Sequence, residues 1–428
     1  MAQQYSEYDA PKMVLENLDA LQKAIVKIQE ETLDLELLNS QSKIIIKQNE
    51  DDIEMLKEIK KNLAFLVTKQ NTTVTQAEAT QPAETKPKPQ PHISQPHEGN
   101  PLSQVTMDWS VAPEEFKKNN NVSLRYCLSS NTVICAVNYS SDGRLFAFAD
   151  AKTLFIMNSS DGSLVGTGSI PIVDGKNEQY VRVLMFSPDS KYIALAGKNN
   201  DIYVFSVANP QSEMRALKNH TSTVSSLAFS PDSKKLYSGS YDGMICMWDT
   251  STFTVIKTKS QLCQNKDDFM VTFALSHDGS FIAVGFMKGN VALYSAQLDD
   301  KAPMIIKPHE SILLGLELSF DDDYLATTAQ DQTSTMWKLQ TFPKMVHKFE
   351  GHSELVLTVC FSRDGSLLFT GSKDETIKCW SAKTGNCIFT LRAHNNTVFQ
   401  VHHHPSEDCF VTCSGDCRVC VWDYKAIQ

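Results

Sequence analysis

The sequence predicts an all-β seven-bladed propeller, a closed ring of small antiparallel sheets, preceded by a long N-terminal α-helical coiled coil. Three observations predict this organisation: an N-terminal stretch with a seven-residue apolar repeat, a proline-rich stretch after it, and a strand–turn–strand pattern that recurs about every 43 residues. The expected regions are a flexible N-terminus, a coiled-coil oligomerisation helix, a disordered tether and the propeller, at residues 1–12, 13–70, 71–105 and 106–428.

The N-terminal helix is predicted from residue spacing. Residues 12–81 contain no glycine and no proline, and apolar residues recur at two positions of a heptad that starts at Val14 and continues for eight heptads. A repeat of this length is typical of a coiled coil rather than of one core helix. Polar residues in the middle of the seam would select register or partner number; they are Thr32, Asn39, Ser42 and Asn49. The alternative is a single long helix packed on its own propeller.

The stretch at 71–105 changes composition abruptly. It holds six prolines and few large apolar residues. Such a segment cannot bury enough surface to fold, so we expect an extended, disordered tether. A recognition motif within it is the alternative to a simple spacer.

Residues 123–428 consist of repeated short strands and tight turns. The first turn of each unit is, in chain order, SSDG, SPDS, SPDS, SHDG, SFDDD, SRDG and HPSED. Four short strands per unit at this period are typical of propeller blades. The last unit lacks a segment for its outer strand. The stretch SLRYCLS at 123–129 is expected to supply that strand, which would join the two ends of the ring and remove an exposed edge.

Four units share one polar set at fixed spacing, in which histidine, a hydroxyl residue, aspartate and tryptophan follow one another at intervals of 18, 4 and 6. The sets are His220, Ser238, Asp242 and Trp248; His309, Thr327, Asp331 and Trp337; His352, Thr370, Asp374 and Trp380; and His394, Thr412, Asp416 and Trp422. The other three units carry Met157, Phe205 and Tyr294 at the tryptophan position.

A hydroxyl, a histidine and an aspartate suggest a catalytic triad, but a nucleophilic site is needed once, whereas this set recurs four times and ends on an indole. We therefore expect a structural relay. In it the aspartate accepts from the histidine, the histidine reaches the hydroxyl, and the hydroxyl meets the indole N–H. The sequence has no phosphate loop, metalloprotease motif or nucleophile elbow. It predicts a protein that is not an enzyme and needs no cofactor.

Composition argues against several other roles. A net charge of −10 disfavours direct nucleic-acid binding, and the absence of a signal peptide or a long apolar run disfavours a membrane role. Eleven cysteines without a secretion signal predict free thiols in a reducing compartment. The best candidate for a metal site is the run His402–His404 with Cys409, Cys413, Cys417 and Cys420. Its spacing differs from paired zinc knuckles, so packed thiols are expected instead.

The channel mouth is the expected binding surface, because the first strand of each blade lines the channel of a propeller. Arginine is rarely buried unless it is paired, so Arg182 in the apolar run YVRVLMF (180–186) is expected to reach this mouth. Aromatic and arginine side chains dominate binding hot spots. The candidate partner-binding residues are Tyr180, Arg182, Tyr241, Phe269, Leu314, Leu357 and Phe399. In contrast, Val133, Cys135 and Ile312 are expected to be packing residues.

The dipeptides Trp248-Asp249 and Trp422-Asp423, together with the polar set, make residues 123–428 resemble a WD-repeat propeller. Tyr180-Val181-Arg182 is similar to a Tyr-Ile-Arg stretch at the second blade's mouth in the Tup/Groucho family of transcriptional co-repressors. Residues 132–166 resemble the first blade of the fungal Tup proteins. The order of coiled coil, tether and propeller is also similar to that family, although the tether is much shorter than the fungal type.

This resemblance implies a nuclear, non-enzymatic co-repressor scaffold. It also allows a cytoplasmic pool of the protein. The scaffold would form a homotetramer through its helix and bind short peptide motifs of DNA-bound repressors at the mouth. Histone tails or a histone deacetylase are implied as further partners. The alternative is a WD-repeat adaptor in ubiquitin ligation, RNA processing or vesicle traffic, or a Gβ-like signalling subunit. Against the Gβ alternative, the helix of such subunits runs almost directly into the ring.

Overall fold

A computed structural model of the chain describes residues 102–171, 180–197, 200–260, 269–339 and 343–425. The described strands form seven antiparallel sheets, the blades of a β-propeller, so the predicted all-β seven-bladed propeller is confirmed. The predicted N-terminus (1–12), the coiled coil (13–70) and the tether up to residue 101 lie outside the described residues.

The segment before the first complete blade contains β1 (Ser103–Gln104), β2 (Ser110–Ala112), the one-turn helix α1 (Glu115–Lys118) and β3 (Val122–Ser129). Blade 1 consists of β4 (Ala136–Tyr139), β5 (Leu145–Ala149), β6 (Thr153–Asn158) and β7 (Leu164–Ser169). Blade 2 consists of β8 (Val181–Phe186), β9 (Tyr192–Gly197), β10 (Ile202–Ser206) and β11 (Met214–Leu217). Blade 3 consists of β12 (Val224–Phe229), β13 (Lys235–Ser240), β14 (Ile245–Asp249) and β15 (Val255–Lys259).

Blade 4 consists of β16 (Met270–Leu275), β17 (Phe281–Phe286), β18 (Val291–Ser295) and β19 (Met304–Ile306). Blade 5 consists of β20 (Leu313–Leu318), β21 (Tyr324–Ala329), β22 (Ser334–Lys338) and β23 (Lys344–Phe349). Blade 6 consists of β24 (Val356–Phe361), β25 (Leu367–Ser372), β26 (Thr376–Ser381) and β27 (Cys387–Arg392). Blade 7 contains β28 (Val398–His403), β29 (Cys409–Ser414) and β30 (Arg418–Tyr424). No helix within these described ranges is long and apolar enough to span a bilayer.

The core lies between neighbouring blades, because successive side chains of a strand point to opposite faces of its sheet. In β5, Phe146 and Phe148 join the apolar cluster shared with blade 7, whereas Ala147 and Ala149 join the cluster shared with blade 2. One apolar cluster fills each blade-to-blade interface of the described ring. Burial on both faces explains why the second and third strands of most blades are continuous apolar runs.

The ring closes between β3 and β30. Ser123 lies opposite Asp423, so β3 is the outer strand of blade 7, next to the last strand of the chain's final repeat. At a bulge in β3, the Arg125 guanidinium donates to an Asp423 carboxylate oxygen at 2.5 Å and to Glu407 at 2.8 Å. These charge-assisted bonds join the first and last strands of the propeller.

The tether predicted at 71–105 is too long at its C-terminal end, because residues 102–105 pack on the propeller. Leu102 is buried, β1 pairs with β3, and the Val105 N–H donates to the Cys127 carbonyl at 2.9 Å. Likewise β2 pairs with β27 and adds a fifth strand to blade 6. Composition averages over a window and cannot show that a few residues at its end pair with an unprotected sheet edge.

Side chains of the inner strands also bridge neighbouring blades by accepting a backbone N–H. Across the seam between blades 7 and 1, Gln400 Oε1 accepts from the Val137 N–H at 2.9 Å. Ser226 Oγ accepts from Phe273 at 3.1 Å, and Thr358 Oγ1 from Val401 at 3.3 Å. Such bonds satisfy backbone groups at the wall of the channel, where the inner sheet edges would otherwise be unpaired.

Candidate functional site

Two residues of each of blades 3 to 7 meet at one face of the ring: the residue just before the inner strand, and the residue just before the turn between the second and third strands. In five blades a backbone N–H of the second donates to the carbonyl of the first, and this bond holds both at the same edge. The pairs are Tyr241 to Thr223 at 3.1 Å, Met287 to Phe269 at 2.9 Å, Gln330 to Ile312 at 2.9 Å, Lys373 to Leu355 at 2.9 Å and Gly415 to Thr397 at 3.0 Å. We call these ten residues, with Val133 of blade 1 and Tyr180 and Arg182 of blade 2, the rim.

A β-bulge begins the inner strand in six blades. The register shifts by one residue, and the extra residues are Arg182, Ser225, Val271, Leu314, Leu357 and Phe399. A bulge leaves one residue unpaired and re-aims its side chain. Strict alternation, which would place Tyr180 and Arg182 on the same side, therefore does not hold here. Four of the seven predicted binding residues are bulge residues, a feature that spacing alone does not show.

Tyr180, Arg182 and Tyr241 are the predicted residues that the structure brings together. The guanidinium carbon of Arg182 lies 5.3 Å from the centroid of the Tyr241 ring, within cation–π range. Burial raises the pKa of Tyr241, while the charge of Arg182 lowers it. Tyr180 is 39 % exposed. Within the part of the chain that the structure describes, no carboxylate or other acceptor is hydrogen-bonded to Arg182.

Glycine shapes the backbone beside this cluster. A Cβ atom at Gly197 would lie 2.0 Å from the carbonyl oxygen of Tyr180. The second strand of blade 2 therefore needs glycine at this position so that Tyr180 can pass close to it. Close packing against Gly197 therefore fixes the backbone of Tyr180 at the rim of blade 2.

At or beside the rim lie Val133 and Cys135, which the sequence analysis assigned to packing, and Met287, which it left out of the site. Val133 is 42 % exposed, so the packing expectation is wrong for it. Cys135 is half-buried; burial raises the pKa of its thiol to about 11, and the nearby charge of Arg182 lowers it. Met287 is 42 % exposed beside Phe269. The position of Met287 just before the turn between the second and third strands could have identified it from the sequence.

The other four predicted binding residues lie in blades 4 to 7, apart from the cluster of Tyr180, Arg182 and Tyr241. Phe269 is 49 % exposed. Leu314 and Leu357 are half-buried. Phe399 is also half-buried and packs against the apolar cluster between blades 7 and 1, so part of its ring serves the core. The predicted site thus divides into one close cluster and four separate positions.

The predicted relay is present with the expected partners in blades 3, 6 and 7. In blade 6, His352 Nδ1 bonds to Asp374 at 2.8 Å and Nε2 to Thr370 Oγ1 at 2.8 Å, which accepts from the Trp380 indole at 2.9 Å. The same bonds measure 3.0, 2.8 and 2.8 Å in blade 3 and 3.0, 2.8 and 3.2 Å in blade 7. Each aspartate also accepts a backbone N–H, from Thr221, Ser353 or Asn395.

In blade 5 the indole of the relay has a different hydrogen-bond partner. His309 bonds to Asp331 and Thr327 as predicted, but the Trp337 indole donates to Thr335 at 3.0 Å rather than to Thr327. The two threonine hydroxyls bond to each other at 2.8 Å. The prediction for Trp337 is therefore wrong in its partner. Thr335 in β22 lies directly opposite Thr327 and accepts the indole N–H in its place.

The surroundings of the relay histidines set opposite pKa shifts. Burial lowers the pKa of His220, but bonds to Asp242 and the Cys246 thiol raise it to about 9. Burial lowers the pKa of His309, and its bond to Asp331 offsets only part of that effect. The neighbours of the two histidines differ: the Cys246 thiol helps to raise the pKa of His220, whereas the charge of Lys348 helps to lower the pKa of His309.

The histidine run at 402–404 lies at the seam between blades 7 and 1. Ligand atoms of His404, Glu407 and Cys409 lie within 4.8 Å of one another, a cluster of metal-ligating types. Both ring nitrogens of His404 are engaged, however: Nε2 donates to the Gly143 carbonyl at 2.8 Å and Nδ1 accepts from the Glu407 N–H at 2.9 Å. Glu407 is also bonded to Arg125. These contacts make the run a structural link of the ring.

Comparisons with known proteins agree with the repeat geometry. A family model described as "WD domain, G-beta repeat" matches residues 211–249, 343–381 and 385–423. These segments contain the polar sets of blades 3, 6 and 7, in which the relay has its expected bonds.

Three relatives illustrate the similarity. The 66 kDa stress protein of Physarum polycephalum is 50 % identical over 54 residues, 13 % of this chain and 9 % of that protein. The U3 small nucleolar RNA-associated protein 18 homolog of Homo sapiens is 25 % identical over 182 residues, 42 % and 31 % of the two chains. Protein groucho of Drosophila melanogaster is 26 % identical over 230 residues, 53 % and 27 % of the two chains. The matches span about a third or less of the length of each relative. The chain is therefore a WD-repeat protein whose repeats form a seven-bladed β-propeller.

Proposed function

We propose that this protein is a transcriptional co-repressor scaffold that binds short peptide segments of DNA-bound repressors at the rim and catalyses no reaction. The observation that carries the proposal is the Arg182 guanidinium, which lies over the Tyr241 ring beside the exposed Tyr180. It has no hydrogen-bond acceptor among the described residues.

A peptide segment has the groups that this cluster lacks. The guanidinium offers a planar fork of N–H donors that suits a peptide carbonyl or a carboxylate. The tyrosine rings add rigid apolar area with a polar tip, the combination found at interface hot spots. Further around the rim, Phe269 and Met287 expose apolar side chains for a longer segment. An extended peptide that crosses the mouth could touch both regions.

The co-repressor part of the proposal rests on similarity and on the order of regions. Protein groucho matches over 53 % of this chain, and the heptad repeat of the N-terminal sequence precedes the propeller as in that family. We propose that the helix at 13–70 forms a homotetramer, so that four rims act together with raised avidity. Nuclear localisation and contacts with histone tails or a histone deacetylase complete the proposal.

Two measurements test it. Residues 1–70, analysed by sedimentation equilibrium at micromolar concentration, should be oligomeric; a monomer would contradict the assembly. In cells the full chain should occupy chromatin at repressed genes, and Tyr180→Ala should lose that occupancy at unchanged protein level. A protein confined to the cytosol would contradict the co-repressor role.

A second candidate is an adaptor in RNA processing. The observation that favours it is the match to the U3 small nucleolar RNA-associated protein 18 homolog over 42 % of this chain. In that case the protein should concentrate in nucleoli and co-purify with small nucleolar RNA, while chromatin occupancy should be absent. The same localisation experiment therefore separates the two functions.

A further inference from the structure

Two cysteine side chains face each other across the strand pair that closes the ring. Cys127 on β3 lies directly opposite Cys420 on β30, both are fully buried, and their sulfur atoms are 2.8 Å apart. Opposed residues of antiparallel strands have Cα atoms about 4.5 to 5.5 Å apart, and a disulfide spans about 4.4 to 6.8 Å. We propose that Cys127 and Cys420 form an oxidisable pair that a peroxide converts to a disulfide, which locks the propeller closed.

The position of the pair gives the disulfide a specific effect. The two residues are 293 positions apart in the chain, and β3 and β30 are the strands whose pairing closes the ring. Without the bond, closure depends on strand hydrogen bonds, on the apolar packing of β3 and on the Arg125 ion pair with Asp423 and Glu407. A covalent link at this place prevents β3 from separating from β30, because a cross-link that closes a long loop restricts the opened state strongly.

The reaction balances with peroxide as the two-electron oxidant. One cysteine, as thiolate, attacks a peroxide oxygen; the O–O bond breaks, and a sulfenic acid and hydroxide form, the latter taking up the thiol proton as water. The second sulfur then displaces the sulfenic hydroxyl, which leaves as a second water, and the S–S bond forms. The sulfur pair loses two electrons, and the peroxide gains two.

Burial determines when the reaction occurs. It raises the pKa of the Cys420 thiol well above its ordinary value, so the closed ring holds this cysteine as an unreactive thiol. On the side away from β30, the described contacts of β3 are with the two-residue strand β1 and with the Val105 N–H, which donates to the Cys127 carbonyl. Local opening of β3 therefore exposes both sulfurs, and reclosing brings them back into contact. Met107, whose sulfur lies 3.4 Å from that of Cys420, covers the pair in the closed state.

The pair is distinct among the cysteines that the structure describes. No other two of them are hydrogen-bonded sulfur to sulfur. Cys246 is equally buried in blade 3, but its sulfur accepts from the Asn219 amide at 3.1 Å. Cys387 is exposed and would react with peroxide without a partner. These two residues are the controls for a test.

The test treats the purified full chain, in a Cys387→Ser background, with hydrogen peroxide, followed by alkylation in denaturant and non-reducing peptide mass spectrometry. We expect a linked Cys127–Cys420 peptide, and unfolding in urea that is slower by about tenfold or more and restored by dithiothreitol. Recovery of both residues as alkylated free thiols after prolonged treatment would overturn the proposal. So would a linked peptide without any change in unfolding rate.

Two variants sharpen the result. Cys127→Ala should abolish the link and the slower unfolding, whereas Cys246→Ala, an equally buried change, should retain both. Arg125→Ala should raise the rate of disulfide formation several-fold, because it weakens the ion pair that holds β3 to β30. An unchanged rate in that variant would contradict the opening route. The mass spectrum of the Cys387→Ser chain shows whether the Cys127–Cys420 disulfide forms, even if a further variant folds poorly.

Discussion

Blades 6 and 2 fill equivalent core positions with different side chains, polar in blade 6 and apolar in blade 2. In blade 6 a buried hydroxyl, Thr370, is held between His352 and the Trp380 indole. At the same two places of blade 2 stand Leu195 and Phe205, both buried at 1 % exposure. A fully bonded polar network and a fully apolar core are both stable, while a half-satisfied network is not. The relay is therefore replaced as a unit in blade 2, where apolar side chains stand in place of both the hydroxyl and the indole.

The largest expected effect is in the apolar blade. Phe205→Ala removes a ring from the cluster between blades 1 and 2 and should lower the free energy of unfolding by about 3–5 kcal/mol. The shift of the urea midpoint at constant slope measures it. A loss below about 1 kcal/mol would show that blade 2 does not depend on apolar packing.

In blade 6, Asp374→Ala should lower the free energy of unfolding by about 1–3 kcal/mol, because the buried His352 loses its acceptor. Urea unfolding again measures the change. Asp161→Ala in an exposed turn of blade 1, whose carboxylate also accepts from a backbone N–H, is the control and should have much less effect. Equal losses in both variants would mean that the relay adds nothing beyond turn formation.

A double-mutant cycle tests whether the relay acts as a unit. Thr370→Val leaves both His352 Nε2 and the Trp380 indole without a bond, and Trp380→Phe removes the indole donor of Thr370. The two changes together make the hydroxyl and indole positions apolar, as in blade 2. The double variant should be more stable than the sum of the single losses predicts, by about 0.5–3 kcal/mol. Calorimetric or urea unfolding of the three variants gives this coupling energy. Strict additivity would contradict replacement as a unit.

The pH dependence should distinguish relay blades from one another. The pKa of His220 is raised to about 9 in the folded chain, so its contribution is complete below the unfolded value of about 6.5 and is lost as pH rises towards 9. His309 has a lowered pKa, so its contribution is lost as pH falls below about 6.5. Thermal unfolding of His220→Gln should therefore approach that of the wild type between pH 6.5 and 9. A constant difference over that range would contradict the raised pKa.

Much of this molecule can be predicted from its sequence because the repeat presents the same chemistry several times. Seven turn sequences and four identical spacings identify the blades, the relay and the closing strand. The indole partner of Trp337 was not predictable, because it depends on the opposite hydroxyl of Thr335, which only strand register reveals. The bulge at Arg182 and the end of the tether have the same origin: both are set by pairing with another strand.

Arg182 differs from the relay residues in that no described residue accepts a hydrogen bond from it, and its described contact with blade 3 is the cation–π contact with the Tyr241 ring at 5.3 Å. Arg182→Ala should change the free energy of unfolding by less than about 0.5 kcal/mol. The direct measurement is fluorescence anisotropy with a peptide selected from a displayed library on the wild-type ring, using Asp374→Ala as a destabilised variant with an intact rim. We predict that Arg182→Ala loses at least about tenfold in affinity at unchanged stability, while Asp374→Ala binds normally below its unfolding temperature. Full affinity in Arg182→Ala, or parallel loss of affinity and stability, would contradict the account.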